Sequence, residues 1–292
     1  MTDAKIFRSE KIEQYDLKGI SAVNYKKGDV IFTEGDFSNG VMYFIISGQA
    51  DVYKNRGGKD IKINTMKVGE FFGEVAIVSI KKKRIATVII SSETARLAEI
   101  NKDTFSSIAK NSTNFLMKLM KTAITRLKSA ESKVDRLVNY KPVFMKEHLK
   151  LPLNEVGSID ILDYVGFAAS STYFKGQNIY AFGEKSNGEM YFLISGELSI
   201  LKNNTDIPME ITVLQAGELF GELGLVSEET RSSTVKVKSG EAQIVSLDRR
   251  SFIKICKTNP TFLFGVVRMI LAKLTQMEDK IAYLEKETDN LQ

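Results

Sequence analysis

Residues 35–48 read GDFSNGVMYFIISG and residues 183–196 read GEKSNGEMYFLISG, which makes ten of fourteen positions identical at an offset of 148. At the same offset, residues 69–78 (GEFFGEVAIV) match residues 217–226 (GELFGELGLV) at six of ten positions. A unit of this length that occurs only twice indicates a duplicated domain and not a solenoid of short repeats. The total length of 292 residues is also typical of two domains.

The duplication predicts a first domain over residues 1–140, a linker over 141–157 and a second domain over 158–292. In each copy a short helical lead-in, residues 9–17 and 158–167, precedes runs of β-forming residues separated by glycine and polar turns. The expected strands lie at 30–33, 42–47 and 49–54 in the first copy, and at 190–195 and 197–202 in the second. Many short strands at this spacing favour a mainly β fold with helices, a sandwich or a barrel in each copy.

Each copy ends in a long amphipathic helix. In the second copy, positions on one helix face alternate at spacings of three and four, as in a coiled coil. They are the apolar residues Val267, Ile270, Leu274, Met277, Ile281, Leu284 and Leu291, interrupted only by Thr288. A weaker stripe runs from Met120 to Leu137 in the first copy. The stripe could pack on its own β-domain, but from Leu274 onward it favours a homodimer through the C-terminal helix.

The composition excludes several classes of function. The single cysteine, Cys256, rules out a disulfide framework, and the single histidine, His148, argues against zinc ligation and hydrolase triads. The net charge of +5 is too small and too evenly spread to indicate nucleic-acid binding. The sequence has no secretory signal and no apolar run of membrane-spanning length. We therefore expect a cytoplasmic protein that is not an enzyme, has no metal site or cofactor and does not bind a membrane.

The chemistry is concentrated in one corner of each copy. A glycine and a glutamate, Gly73–Glu74 and Gly221–Glu222, are followed nine or ten residues later by an arginine that opens a β-strand, Arg84 or Arg231. Backbone N–H groups and a guanidinium can bind a phosphate, and a carboxylate can accept from a ribose hydroxyl. This combination suits a phosphate that is joined to a sugar.

The alternative for these residues is a plain salt bridge, which is common on protein surfaces and stabilises little. Arg84, however, begins the apolar strand Ile85–Ile90, where an unpaired charge is costly. The presence of both charges in both copies favours a ligand that completes the electrostatics.

With these segments the chain resembles the cyclic nucleotide-binding domain family over nearly its whole length, as two copies. The phosphate-binding cassette of that family corresponds here to FGEVAI followed by RIATV, and to FGELGL followed by RSSTV. The resemblance implies two double-stranded β-helix (jelly-roll) barrels, each flanked by N-terminal and long C-terminal helices. It also implies that Glu74 and Glu222 bind the ribose and that Arg84 and Arg231 bind the cyclic phosphate. The remaining ligand-binding positions that it implies are Gly73, Val75, Ala76, Ile85, Ala86, Gly221, Leu223, Gly224, Ser232 and Ser233.

The sequence departs from the family pattern just before each arginine. Many members have proline there, whereas this chain has Lys83 and Thr230, and Lys83 is a rival to Arg84 for the phosphate. In the family a Ser or Thr directly after the arginine favours guanine. Ser232 occupies that position in the second copy and Ile85 in the first, so cAMP is the expected ligand of the first site and cGMP a possible ligand of the second.

The sequence contains no kinase motif and no segment corresponding to a helix-turn-helix after the second copy. The expected function is that of a cyclic nucleotide (cAMP or cGMP) sensor for signal transduction that lacks an attached output domain and a DNA-binding domain. It would act in trans on an unidentified protein partner, such as a kinase or another effector, by repositioning its closing helices. The alternative is a ligand-independent dimeric scaffold with degenerate sites; an enzyme of the cupin type would need more histidines.

Overall fold

The computed structural model describes residues 21–56, 58–74, 83–111, 113–139, 161–165, 170–202, 208–226 and 230–289. The chain forms two compact units that divide between Thr122 and Ala123. This division falls inside a long helix, so the last part of the first closing helix belongs to the same unit as the second β-domain. The predicted helix at 9–17 and the predicted linker lie outside the described residues.

The described residues of the first unit form eight strands in two four-stranded antiparallel sheets, with the orders β1-β8-β3-β6 and β2-β7-β4-β5. The strands are β1 (Ala22–Lys26), β2 (Val30–Phe32), β3 (Val41–Ser47), β4 (Ala50–Arg56), β5 (Lys59–Met66), β6 (Phe71–Phe72), β7 (Thr87–Ile90) and β8 (Thr94–Asn101). Two antiparallel sheets with non-sequential neighbours form the predicted jelly roll.

The second unit repeats this arrangement, with the orders β9-β16-β11-β14 and β10-β15-β12-β13. Its strands are β9 (Ser170–Phe174), β10 (Asn178–Tyr180), β11 (Glu189–Ser195), β12 (Leu198–Lys202), β13 (Met209–Leu214), β14 (Leu219–Phe220), β15 (Thr234–Val237) and β16 (Glu241–Asp248). The strand-by-strand correspondence confirms the predicted fold class, and the five predicted strands lie within two residues of the observed bounds.

The same aromatic pair joins two strands in each barrel. Tyr43 stacks on Phe72 at 5.2 Å between ring centroids, and Tyr191 stacks on Phe220 at 5.1 Å. Both pairs are buried in the cores of their barrels. Because Phe72 and Phe220 immediately precede the Gly–Glu corners, this packing fixes the start of each cassette.

The described helices are α1 (Lys102–Asn111), α2 (Thr113–Asn139), α3 (Leu162–Val165), α4 (Leu223–Val226), α5 (Arg249–Thr258) and α6 (Pro260–Asp289). The carboxylate of Asp248 caps α5 by accepting from the Ser251 backbone N–H at 2.7 Å. Pro260 stands at the first position of α6, where its missing N–H removes no hydrogen bond of the helix. None of the described helices is long and apolar enough to cross a membrane.

The C-terminal part of α2 packs along α6 within the second unit. Their shared core consists of Leu127, Ala130, Val134, Leu274, Ile281 and Leu284, with Leu137 and Met277 at its margin. Ion pairs flank it, with Arg126 Nη2 2.6 Å from Glu278 Oε1 and Lys133 Nζ 2.5 Å from Glu285 Oε1. Both partners advance by seven residues from one pair to the next, so the two helices are parallel.

This packing changes the basis of the expected homodimer. The prediction assumed that nothing in the chain covers the α6 stripe beyond Leu274, but the weaker α2 stripe covers it, which leaves Ile281 only 6% exposed. An apolar stripe reveals that a partner exists without revealing which one. The α2–α6 contact lies within one chain, and a homodimer through the C-terminal helix stays a prediction.

Candidate functional site

Each Gly–Glu corner turns with a backbone conformation that only glycine adopts readily. Gly73 has φ of 71° and Gly221 has φ of 70°, both in the left-handed region. A Cβ at Gly73 would lie 2.9 Å from Arg84 Nη1, and a Cβ at Gly221 would lie 3.2 Å from Arg231 Nη1. Glycine therefore serves two purposes here, since it allows the turn and leaves room for the guanidinium.

Arg84 is drawn into the first corner by oxygen acceptors. Its Nη2 donates to the Asn39 side-chain oxygen at 2.6 Å and to the Val41 carbonyl at 2.9 Å, and its Nη1 donates to the Gly73 carbonyl at 3.3 Å. The guanidinium carbon lies 4.1 Å from the centre of the Phe32 ring, in a cation–π contact. These contacts fix the plane of the guanidinium.

Arg231 is held in the same way in the second corner. Its Nη2 donates to the Asn187 side-chain oxygen at 2.6 Å and its Nη1 to the Gly221 carbonyl at 3.3 Å. The aromatic partner is Tyr180, whose ring centre lies 4.3 Å from the guanidinium carbon. The Arg231 Nη2 also lies 3.5 Å from the hydroxyl oxygen of Tyr191.

The two guanidinium groups are buried cations with uncharged acceptors. Arg84 and Arg231 are each 6% exposed, and no carboxylate of the described residues lies within ion-pair distance of either one. Burial lowers the pKa of Arg84. Electrostatic interactions with Tyr43, Glu74 and Asp36 act in the opposite direction and raise it. A buried charge without a counter-charge is costly, so each corner is suited to an anion.

The predicted site residues occupy these corners to different degrees. Glu74 and Glu222 are buried beside their glycines, 3% and 4% exposed. Ala86 and Ser233 are buried, Ile85 is half-buried and Ser232 is exposed. Val75 and Ala76 lie outside the described residues.

Lys83, the alternative phosphate ligand in the first copy, is exposed, and its ammonium lies 5.5 Å from the Phe37 ring centre. Of the two basic residues, only Arg84 is turned into the corner.

In the second unit the corner opens into a cavity of about 240 Å³. The cassette contributes Gly221, Glu222, Leu223, Gly224, Arg231, Ser232 and Ser233. The opposite walls come from Ile200 and Thr212 on the barrel and from polar side chains of the helices, among them Glu131 on α2 and Lys280 on α6. The cavity thus extends from the Arg231 guanidinium, past the Glu222 carboxylate, to the pair of helices.

Within the described part of the second unit, two ion pairs connect the barrel to these helices. Lys273 Nζ on α6 lies 3.2 Å from Glu222 Oε1, and Lys202 Nζ on β12 lies 2.7 Å from Asp135 Oδ2 on α2. The Lys202 side chain is only 7% exposed. A ligand that approaches Glu222 therefore meets a carboxylate that already has a cationic partner on the closing helix.

Sequence reasoning missed two kinds of residue at the site. Asn39 and Asn187 orient the guanidinium groups, and their signal was available because Ser-Asn-Gly is identical in the two repeats. Lys273 and Glu131 had no such signal, since they reach the cavity only through the packing of α2 and α6. Among the hydroxyl side chains of α2 and α6, Ser132 lines the cavity, Ser129 is exposed and Thr275 donates to the Leu271 carbonyl inside its own helix.

The chain is similar to known proteins of one family. The family model for the cyclic nucleotide-binding domain matches residues 22–112 and 171–259. The type II regulatory subunit of cAMP-dependent protein kinase from Drosophila melanogaster is 29% identical over 86% of this chain and 59% of its own length. The regulatory subunit from Blastocladiella emersonii is 25% identical over 94% of this chain and 60% of its own length. The chain thus spans about three fifths of the length of these curated relatives.

The chain is also similar to two solved structures of regulatory proteins. The cAMP-bound PfPKA-R (141-441) is 25% identical, with a TM-score of 0.34 and coverage of 82% of this chain and 74% of that one. The regulatory domain of Toxoplasma gondii PKA with cAMP is 23% identical, with a TM-score of 0.29 and coverage of 84% of each chain. Since the family model matches two tandem segments that together make up more than half of the residues, the chain belongs to the cyclic nucleotide-binding domain family.

Proposed function

We propose that the protein is a non-enzymatic regulatory protein that binds a cyclic nucleotide at each of its two cassettes. The observation that carries this proposal is the burial of Arg84 and Arg231 against uncharged acceptors. A cyclic phosphate carries the single negative charge that such a guanidinium lacks, and it can accept two hydrogen bonds from it. Glu74 and Glu222, beside the same corners, are the acceptors for the ribose hydroxyl.

The proposed response is a shift in the position of the closing helix. In the second unit, Lys273 binds Glu222 from α6, so a ribose hydroxyl that binds Glu222 changes what holds α6 to the cassette. A ligand shifts such an equilibrium only by its difference in affinity between the two helix positions. The partner that would detect this movement is proposed to be a kinase-type protein, because regulatory subunits of kinases are among the relatives.

The alternative of a ligand-independent scaffold explains the fold but not the corners. Without a ligand, a buried arginine at a degenerate site does not increase the stability of the protein. An apolar side chain of similar volume would give a protein that is at least as stable. Both copies nevertheless keep arginine, glutamate and glycine in the same geometry.

Calorimetric titration with cAMP, cGMP and cCMP tests the proposal. We expect binding to the unmodified protein, loss of one site in Arg84→Ala or Arg231→Ala, and loss of both in the double variant. Arg96→Ala is the matched control, because Arg96 is an exposed arginine on β8 and its removal should leave binding unchanged. Absence of binding for all three nucleotides, in protein shown to be folded and freed of bound nucleotide, would overturn the proposal.

A further inference from the structure

Glu131 is an acidic side chain that the cassette chemistry does not use. It belongs to α2 and lines the cavity of the second site together with Glu222 and Arg231. Phosphate and ribose are assigned to those two cassette residues, so the remaining space toward α2 is where the base of a bound nucleotide must lie. Glu131 is therefore placed at the base end of the cavity.

Two of the cations near Glu131 are engaged with other carboxylates, whereas Lys280 on α6 is attracted electrostatically to both Glu131 and Asp135. Lys202 pairs with Asp135 at 2.7 Å and Lys273 pairs with Glu222 at 3.2 Å. No hydrogen bond or ion pair within the described part of the chain involves Glu131 itself. A carboxyl group in a cavity with its hydrogen-bonding capacity unused is suited to a ligand that supplies N–H groups.

We propose that Glu131 reads the base at the second site, with its carboxylate matching guanine and its carboxylic acid matching adenine. This inference rests on the proposed function, since it assigns the ligand of the same site. A carboxylate has two acceptor oxygens, and guanine presents two adjacent N–H donors, at N1 and at the exocyclic amino group. Adenine presents one N–H donor beside the acceptor N1, which matches a carboxylic acid because the acid can donate and accept at once.

The surroundings of Glu131 bring its titration into the neutral range. Burial, followed by repulsion from Glu222, raises its pKa to about 7, against the opposing attraction of Lys202 and Lys273. The charged and titratable groups that line the cavity around it are Lys128 and Asp135 on α2, Lys273 and Lys280 on α6, Lys202 on β12, Tyr180 on β10, and Glu222 and Arg231 in the cassette. Both forms of Glu131 are thus populated near pH 7, and the preferred base should change with pH.

The size of the effect follows from the titration curve. One pH unit below the pKa about one tenth of the groups is ionised, and one unit above it about nine tenths. If each form accepts only its own base, the ratio of the two dissociation constants changes ~100-fold across that interval. Affinity for cGMP should rise with pH, and affinity for cAMP should fall.

The test uses the full chain with Arg84→Ala, so that only the second site reports. Dissociation constants for cAMP and cGMP are measured by calorimetry at about pH 6, 7 and 8, with and without Glu131→Gln. Glutamine can pair with adenine through one donor and one acceptor and does not titrate, so the variant should favour cAMP at every pH. Glu285→Gln is the matched control: it removes an acid that pairs with Lys133 on the same helix pair and should preserve the pH-dependent ratio.

The outcomes separate the two proposals. Binding of both nucleotides with a ratio that does not change with pH, or a change that persists in Glu131→Gln, overturns the base-reading role and leaves the proposed function intact. Failure of every cyclic nucleotide to bind at every pH overturns the proposed function itself. A pH-dependent ratio that Glu131→Gln abolishes, in protein with an unchanged circular dichroism spectrum, supports the inference.

Discussion

Lys273 Nζ on the closing helix α6 lies 3.2 Å from Glu222 Oε1 in the second cassette, and the two side chains are only 17% and 5% exposed. This contact joins the residue proposed to bind the ribose to the helix proposed to move. It also means that the helix position and the availability of Glu222 are physically coupled before any ligand arrives.

The first prediction concerns the free energy of this ion pair. Removing one partner of a buried pair leaves the other charge without compensation and costs about 3–5 kcal/mol. We expect Lys273→Met and Glu222→Gln each to lower the free energy of unfolding, and the double variant to lose less than the sum. Urea denaturation of the four proteins without ligand gives the coupling energy, expected at about 0.5–3 kcal/mol. Strict additivity would show that the two residues do not stabilise one another.

The more exposed pair between Lys238 and Glu210, at 2.9 Å, is the control for that cycle. Its side chains are 40% and 36% exposed, and pairs of this kind contribute about 0–1 kcal/mol. A coupling as large there as at Lys273 would mean that burial is not what strengthens the cassette contact.

The second prediction tests whether neutral acceptors keep Arg231 available for an anion. Asn187→Asp would place a carboxylate where the amide oxygen now lies 2.6 Å from Nη2. The new carboxylate should pair with the guanidinium and compete with the phosphate. Because Asn187 Nδ2 now donates to Glu189 Oε2 at 2.6 Å, the substitution also places two carboxylates side by side and should lower the melting temperature. We expect the affinity of the second site for cyclic nucleotide to fall at least tenfold, which corresponds to losing about 1.4 kcal/mol or more. Calorimetry in the Arg84→Ala background, together with thermal unfolding, measures both quantities.

Asn178→Asp is the matched control, because Asn178 is exposed on β10 and its replacement adds the same charge to the same barrel. It should leave the affinity nearly unchanged. If Asn187→Asp binds nucleotide as tightly as the unmodified protein, the role of the uncharged acceptors is wrong.

How much of this arrangement the sequence could predict depends on how local each feature is. The Gly–Glu corners and their arginines are set by short segments that occur twice, so the residue types at Gly73, Glu74 and Arg84 are enough to indicate their chemistry. The sequence does not indicate the contribution of Glu131, because this residue lies 91 positions before Glu222 along the chain and reaches the cavity only when α2 packs on α6. Amphipathic stripes identify a buried helix face but not the element that buries it.

The third prediction concerns a glycine that the barrel needs for close packing. Gly196 has φ of 88°, and a Cβ there would overlap the Glu241 carbonyl oxygen and approach the Ala242 Cα to 2.8 Å. Gly196→Ala should therefore lower the free energy of unfolding well beyond the conformational cost of about 1–2 kcal/mol for a left-handed residue. Chemical denaturation checks this value.

Gly176 separates the two contributions. Its φ of 84° is nearly the same, but a Cβ there would meet nothing within 4 Å. Gly176→Ala should show the conformational cost alone. Equal losses in the two variants would mean that crowding between Gly196 and the start of β16 does not contribute.

The last prediction is the pH dependence of stability that Glu131 causes without ligand. Its pKa of about 7 lies above the usual value for a glutamate, so the folded state binds this proton more tightly than the unfolded state does. The free energy of unfolding should therefore fall as pH rises from the ordinary carboxyl range through about 7. Glu131→Gln removes this loss. Its melting temperature should therefore match that of the unmodified protein at pH 5 and exceed it at pH 8 by a few degrees. The conversion from free energy to melting temperature is about 2–4 °C per kcal/mol.

Thermal unfolding of the two proteins across this range isolates the contribution of Glu131, because all other titrating groups are common to both. Glu285→Gln again serves as the control, since its carboxylate pairs with Lys133 at 2.5 Å and its removal should not raise stability at high pH. A constant difference between Glu131→Gln and the unmodified protein from pH 5 to 8 would show that the carboxyl group titrates at its ordinary value. Both forms would then not coexist near neutrality, and the protonation-dependent choice of base would lose its physical basis.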